Sequence, residues 1–226
     1  MSRSLTDTSP AAAPAPNAVV MPTVLCDRLL RSAQALHAAG LKGFGLLIGD
    51  PGTPGHPFRP VDVVVFDPLR NRRNEPANRA AFHAQGSYFR QYEDAGFVAD
   101  PADVLHVWRT VEASGLDVIA PFHVHRRQPA NFSVIDYRLH NPAFAWHLII
   151  SLSDPAGPAI RPFAVNKPTT DFGIDERDGR EGSEHSYQGP EVTPLDLVLT
   201  GGTRHLRRVP PTPHTNRTQP PRLAAG

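Results

Sequence analysis

The sequence predicts a mixed α/β domain in which helices flank a central twisted β-sheet. Short apolar segments typical of strands alternate with segments whose apolar residues recur every three or four positions, as in helices. The predicted order is helix, strand, strand, helix, strand, helix, strand, strand. A chain of 226 residues is long enough for one main domain with a substantial core.

Both ends of the chain are predicted to lie outside this domain. Residues 1–21 are rich in Ala, Pro, Ser and Thr, and residues 201–226 are rich in Pro and Arg with no acidic residue. Such compositions bury too little apolar surface to offset the entropy lost on ordering. The sequence therefore predicts two disordered tails around a domain at 22–200. The C-terminal arginines favour a solvated tail over weak contact with an acidic partner.

The first helix is predicted to open at Pro22 and Thr23 and to end before Gly40. Its apolar residues share one face, and they are Leu25, Leu29, Ala33 and Leu36. The only cysteine, Cys26, belongs to this apolar pattern, which predicts a buried and unreactive thiol. A single cysteine also excludes an internal disulfide and a cysteine-based zinc finger.

Two apolar strands follow at 44–49 and 61–66, joined by a Pro/Gly-rich loop. Aromatic residues within 67–100 indicate helical packing in that segment rather than a linker. The next helix is predicted at 103–114 and ends at Gly115. Four apolar residues are expected on its buried side: Val104, Val107, Trp108 and Val111.

A strand is predicted to end at His125, and Ser133 can cap a short helix that starts at Val134. Strands are then expected at 147–152 and 160–165, followed by a charged, glycine-rich loop at 171–190. A last strand is predicted at 195–199.

The residues with the clearest chemistry are His123, His125 and Asp136. On a strand, residues two apart point to the same side, so the imidazoles of His123 and His125 can converge on one point. A carboxylate oxygen of Asp136 can supply a third ligand for Zn²⁺ and leave the fourth position for water. The alternative is that both histidines are polar residues at a strand end, hydrogen-bonded to their neighbours.

This spacing, His123-Val-His125 followed by seven residues and Ser133-Val-Ile-Asp136, resembles the JAMM motif of the MPN-domain (Mov34/PAD-1) zinc metallopeptidases, bacterial type. The resemblance extends over about residues 24–165, where Gly45-Leu-Leu-Ile-Gly49 is similar to the first strand of the family. It implies a cytidine-deaminase-like three-layer arrangement with helices on both sides of the sheet. It also implies that Ser133 stabilises the oxyanion or the water molecule at the zinc ion.

The sequence departs from the family pattern at two positions. Lys42 stands where family members usually carry the glutamate that acts as general base, and Arg126 replaces a proline after the second histidine. A lysine can accept a proton in place of a carboxylate only if burial strongly lowers its pKa. The base is therefore unassigned. Glu75 is the first candidate, because its segment can fold over the cleft, and Glu93 and Glu112 are weaker candidates.

Two further histidines lie near the motif. His140, one helical turn after Asp136, can face the cleft, but a position at the surface or behind the metal ligands is favoured; His147 is interpreted as a structural residue.

The leading functional hypothesis is a zinc-dependent hydrolase of a peptide or isopeptide bond. The resemblance implies a substrate at the C-terminus of a ubiquitin-like protein, including bacterial sulfur carriers. Lys42 supports a second hypothesis, a zinc-binding MPN-type scaffold module without catalysis. A small-molecule amidohydrolase is the third.

Bulk properties exclude other classes of function. The formal net charge of +1 gives no basic signal for nucleic acid or anionic lipid. No apolar run approaches the ~18–20 residues of a membrane span, and the N-terminus lacks the order of a secretory signal. We therefore expect a cytoplasmic protein without a nucleic-acid or membrane partner.

Overall fold

A six-stranded mixed sheet forms the centre of the fold in a computed structural model, which describes residues 17–50, 52–53, 55–168 and 186–201. Eight strands are present in this part of the chain: β1 (Ala18–Pro22), β2 (Phe44–Asp50), β3 (Arg59–Val65), β4 (Asp117–His125), β5 (Trp146–Ser151), β6 (Ala159–Val165), β7 (Val192–Pro194) and β8 (Asp196–Thr200). The central sheet has the order β3-β2-β4-β5-β6-β7, and β1 and β8 form a separate parallel pair.

Five helices accompany the strands in the described residues: α1 (Thr23–Ala38), α2 (Pro76–Ala84), α3 (Ser87–Gln91), α4 (Pro101–Ser114) and α5 (Val134–Leu139). Two short 3₁₀ turns, Pro68–Arg70 and Arg72–Asn74, precede α2. Asp100 begins α4 by accepting a hydrogen bond from the amide of Ala102, and Gly115 ends it in the left-handed conformation. Phe82, Tyr88 and Phe89 therefore lie in short helices, as the sequence predicts, whereas Tyr92 and Phe97 lie in irregular backbone.

Neighbouring strands of the central sheet are antiparallel except for β4 and β5, which are parallel. The chain crosses from β4 to β5 through α5, as parallel strands require a crossover connection. His125, the last residue of β4, lies opposite Ser151, the last residue of β5. The carboxyl ends of both strands therefore lie at the same edge of the sheet, beside α5.

Helices pack on both faces of the central sheet. On one face, the buried side of α1, which includes Leu25 and Leu29, packs against Leu47, Val124 and Leu148 of β2, β4 and β5. On the other face, Val107 and Val111 of α4 pack against Ile48 and Val118. The predicted mixed α/β class, with helices flanking a mixed sheet, is confirmed.

The prediction for Trp108 was wrong, because this side chain is 47% exposed on α4 rather than buried. The helical period places it near the buried stripe, but Val107 and Val111, with the half-buried Val104, make the contact with the sheet. The expectation for Cys26 is confirmed. It is buried in α1, and burial raises the pKa of its thiol to about 11.

The predicted N-terminal boundary of the domain was also wrong. Residues 18–21 were assigned to a disordered tail, yet they belong to β1, where Val19 and Met21 are fully buried. β1 pairs with β8 and exchanges backbone hydrogen bonds with Phe58, just before β3. Its partner strand lies at the far end of the chain, so local composition could not reveal the pairing. Residues 1–16, 169–185 and 202–226 lie outside the described residues, and with them most of both predicted tails and of the loop at 171–190.

No helix in the described part of the chain is both long and apolar enough to cross a membrane.

Candidate metal centre

Three side chains that the sequence predicts as metal ligands meet at the edge of the sheet. The Nε2 atoms of His123 and His125 are 2.9 Å apart. Oδ1 of Asp136 lies 3.0 Å from Nε2 of His123, and Oδ2 lies 3.5 Å from Nε2 of His125. All three potential ligand atoms lie within 4.8 Å of one another, and the side chains are largely buried. These residues could therefore hold one cation.

The start of α5 fixes the carboxylate of Asp136. Ser133 is the N-cap of this helix, and its hydroxyl accepts a hydrogen bond from the amide of Asp136. In return, Oδ2 of Asp136 accepts hydrogen bonds from the amide and the hydroxyl of Ser133, both at 2.7 Å. This reciprocal capping box engages Oδ2 and directs Oδ1 toward the histidines. The Ser-x-x-Asp spacing therefore has a local structural cause, which is a helix start.

The ring of His125 has a defined tautomer because of a backbone carbonyl. Its Nδ1 lies 2.8 Å from the carbonyl oxygen of Pro129, which can only accept a hydrogen bond. Nδ1 must therefore carry the proton, and in the neutral ring Nε2 carries a lone pair. This lone pair faces His123 and Asp136.

A chain of three buried imidazoles fixes the tautomer of His123 in the same way. Nε2 of His140 donates to the carbonyl oxygen of Phe144 at 2.8 Å, so Nδ1 of the neutral ring accepts from Nδ1 of His147 at 3.1 Å. Nε2 of His147 then accepts from Nδ1 of His123 at 2.8 Å. With all rings neutral, Nε2 of His123 also carries a lone pair.

Charge and burial in the site favour a bound cation. Burial lowers the pKa of His123 against the opposing effect of Asp136, so the ring is neutral near pH 7. Burial alone would raise the pKa of Asp136, yet this pKa lies well below its usual range, and two hydrogen bonds from Ser133 to Oδ2 favour the ionised carboxylate. Two imidazole lone pairs and a carboxylate therefore face one point. Such a donor set repels itself unless a positive charge lies between its members, and two nitrogens with one oxygen suit a divalent metal.

An open chamber adjoins the three side chains, with a volume of about 250 Å³. Lys42 lines it together with all three candidate ligands. Phe44 of β2 lies opposite His123 of β4. The amide of Val124 donates to the carbonyl oxygen of Gly43, so the pairing of β2 with β4 continues past the start of β2. Lys42 therefore lies beside His125 on the same face of the sheet.

Lys42 is the basic side chain of this chamber. Burial lowers the pKa of its ammonium, whereas Asp94, whose Oδ2 is 3.4 Å from Nζ, raises it. The net direction is downward, which is the direction that a proton-accepting lysine requires.

The structure does not bring the acidic candidates for the general base to the site. Glu75 pairs with Arg72 at the exposed start of α2, and Glu93 pairs with Arg79. Glu112 lies on α4 and is exposed. The segment 67–100 does fold over the cleft, but it contributes Tyr88 and Phe97 rather than Glu75 to the lining. Among the described residues, Asp136 is the one acidic side chain in the lining.

Ser133 lies in the chamber lining and is almost fully buried. Its hydroxyl proton is directed to Asp136 in this structure, which confirms its role as a helix cap. Its role as an oxyanion donor stays a prediction, because that role requires the hydroxyl to rotate away from Oδ2.

The sequence predicts His140 at the surface or behind the metal ligands, but it does not reveal the part that His147 plays. Both are buried and belong to the hydrogen-bonded chain that ends at His123. The signal for His140 is its place one turn after Asp136. His147 has no signal of its own, since its contact with His123 depends on the pairing of β4 with β5.

Neither a family model nor a curated protein matches the chain. Among solved structures, the solution structure of protein DSY2949 from Desulfitobacterium hafniense is similar. Its TM-score is 0.52 at 20% identity, over 81% of this chain and 94% of that chain. A solution structure from Salinibacter ruber has a TM-score of 0.43 at 21% identity, over 83% of this chain and 97% of that chain. The first likeness shows a shared fold and nothing of activity.

Proposed function

We propose that this protein is a zinc-dependent hydrolase of an amide bond, in which His123, His125 and Asp136 hold the metal. The observation that carries the proposal is the convergence of two imidazole lone pairs and one carboxylate beside an open chamber. The resemblance of these residues and Ser133 to the JAMM motif supports the same chemistry. With three protein ligands, a zinc ion keeps a position free, as in catalytic sites.

A zinc ion held by His123, His125 and Asp136 would polarise the scissile carbonyl and lower the pKa of water toward about 7. Hydrolysis adds the oxygen of water to the acyl carbon, breaks the bond from carbon to nitrogen, and moves a proton to the leaving amine. We assign the transfer of this proton to Lys42. Its Nζ lies in the chamber wall, and burial lowers its pKa. Asp94 keeps the ammonium oriented while it is charged.

The resemblance suggests a peptide or isopeptide bond at the C-terminus of a ubiquitin-like or sulfur-carrier protein. A non-catalytic scaffold that holds zinc is the second candidate. It is favoured by the lack of any acidic side chain other than Asp136 in the described lining of the chamber.

A hydrolysis assay separates the two candidates. Zinc-loaded protein is incubated with fluorogenic peptide amides and with a carrier-protein fusion, before and after treatment with a chelator. We expect cleavage that the chelator abolishes and added zinc restores. His123→Ala should abolish both zinc binding and cleavage, whereas His106→Ala, at an exposed position of α4, should change neither. Stoichiometric zinc without cleavage of any amide would favour the scaffold.

A further inference from the structure

The chamber beside the candidate metal centre has an aromatic wall that starts at one of the ligands. The ring of Phe44 stacks near His123 with centroids 6.2 Å apart, and the ring of Phe97 stacks on Phe44 at 4.7 Å. Phe66 continues the stack at 5.5 Å from Phe97. The planes of adjacent rings differ by only 22–23°. Together, Phe44, Phe97 and Phe66 form a panel of nearly parallel rings that leads away from the ligands.

Part of this panel is open to the chamber. Phe44 and Phe97 line the chamber and are only half-buried, whereas Phe66 is buried in the core cluster against which Phe97 packs. The half-buried Phe144 belongs to the same lining, and Leu46, Ile135 and Leu139 add to its apolar part. Apolar side chains around an open volume next to a polar centre are typical of a small-molecule site.

The wall that carries Phe97 is held in place by a buried arginine. Nε of Arg73 donates to the carbonyl oxygen of Ala95 at 2.9 Å, and Nη2 donates to that of Phe89 at 2.7 Å. The guanidinium also lies 5.0 Å from the centre of the ring of Phe82. Because these bonds fix the 89–95 backbone before any ligand binds, little ordering cost remains for a ligand in the chamber.

From these contacts we propose that the chamber binds a planar aromatic group of the substrate, next to the amide bond that is cleaved. This inference rests on the proposed hydrolase function and names its substrate class: small amides with an aromatic acyl group. An aromatic ring in this space meets the edges of Phe44 and Phe97, and aromatic pairs favour edge-to-face contacts at 4.5–7 Å. The volume of about 250 Å³ exceeds the ~150 Å³ of an engineered apolar cavity that binds benzene, so the chamber has room for one such group.

The same geometry is poorly matched to an acyl group without a side chain, such as that of glycine. Glycine has no side chain, so a tail of glycines leaves the panel and Phe144 in contact with water. Enzymes discriminate between substrates by such differences in apolar contact. One missing methylene in an apolar pocket changes kcat/KM by about 10–200-fold. An aromatic amide should therefore be preferred over its methyl analogue.

A binding experiment tests the chamber without relying on turnover. Benzamide and acetamide are titrated into metal-free and zinc-loaded protein, and chemical-shift changes of the protein amides give the two dissociation constants. We expect benzamide to bind about 10-fold more tightly or better in both forms. Phe97→Ala should remove most of this preference. Leu139→Trp, at a rim position that is 37% exposed, should remove it by filling the chamber without disturbing the stack. Trp108→Ala, on the outer side of α4, should preserve it.

Equal binding of the two amides, or a preference that survives in both chamber variants, would overturn the inference. Hydrolysis assays with N-benzoylglycine and N-acetylglycine then show whether the aromatic chamber or the proposed hydrolase function is wrong. Zinc-dependent cleavage without a preference for the benzoyl compound contradicts the aromatic chamber and leaves the hydrolase standing. Benzamide selectivity that both chamber variants abolish, with no cleavage of any amide, supports the chamber and rejects the hydrolase.

Discussion

Nδ1 of His123 lies 2.8 Å from Nε2 of His147, so a residue of β5 sets the ring orientation of a candidate ligand on β4. The two strands are parallel neighbours, and both side chains are on the face that carries the chamber. Metal-binding histidines almost always donate their second ring nitrogen to a fixed acceptor. Here the acceptor is itself an imidazole, held by His140 and the carbonyl oxygen of Phe144.

Replacing His147 should therefore weaken metal binding although His147 is not a ligand. His147→Phe removes the acceptor, and we expect about a 10–100-fold loss of zinc affinity. His147→Gln provides a carbonyl oxygen for His123 and an amide for His140, so its loss should be smaller. Competition with a chromophoric chelator measures both affinities. Equal losses in the two folded variants would mean that His147 only fills space.

Stability of the metal-free protein should fall as the pH drops below about 6.5. Burial lowers the pKa of His140 from 6.5 to about 4, and it lowers those of His123 and His147 in the same direction. At a pH between the pKa of such a histidine in the native state and its pKa in the unfolded chain, the unfolded chain binds more protons. Acid therefore favours unfolding. His140 alone contributes about 3 kcal/mol that is present above pH 6.5 and lost as the pH falls through 4.

Urea denaturation from pH 7 to pH 4, in the presence of a chelator, measures this dependence. His140→Gln should flatten the curve, because glutamine does not titrate. A variant with the same slope as the parent protein would show that His140 is not held neutral by the fold.

The hydroxyl of Ser133 should contribute to stability as well as to the site. Ser133→Ala removes the helix cap, with an expected cost of about 0.5–2 kcal/mol in the free energy of unfolding. It also removes one of the two hydrogen bonds that Oδ2 of Asp136 accepts, so zinc affinity should fall. Ser133→Thr keeps the hydroxyl and is the matched control. Denaturation midpoints of the three proteins provide the test, and an unchanged midpoint for the alanine variant would contradict the capping role.

The proton-carrying role of Lys42 can be separated from its charge. Lys42→Met should lower kcat by about 10²–10⁴-fold with zinc content unchanged, as expected for loss of a general acid or base. Lys42→Arg keeps a positive charge that cannot be released near neutral pH, so it should be as inactive as the methionine variant. Full activity of Lys42→Arg would mean that only the charge matters.

The candidate ligands could be predicted from local sequence patterns. The role of His147 could not, because it depends on pairing between strands. The alternation of a strand places His123 and His125 on one side, and a helix start brings Ser133 to Asp136. His147 reaches His123 only through the pairing of β4 with β5, which no local pattern encodes.

The positions of Glu75 and β1 also depend on contacts that appear only in the folded chain. Glu75 lies in the segment that covers the cleft, but a local ion pair with Arg72 holds it at the surface. β1 has the composition of a tail and is a strand only because β8, at the other end of the chain, pairs with it.

Anomalous diffraction at the zinc absorption edge, from crystals of the zinc-loaded protein, locates the metal relative to the three proposed ligands. We predict a single strong peak per chain between Nε2 of His123, Nε2 of His125 and Oδ1 of Asp136, and no such peak in His123→Ala. A loaded protein with its peak elsewhere, or with none at these three atoms, would contradict this prediction.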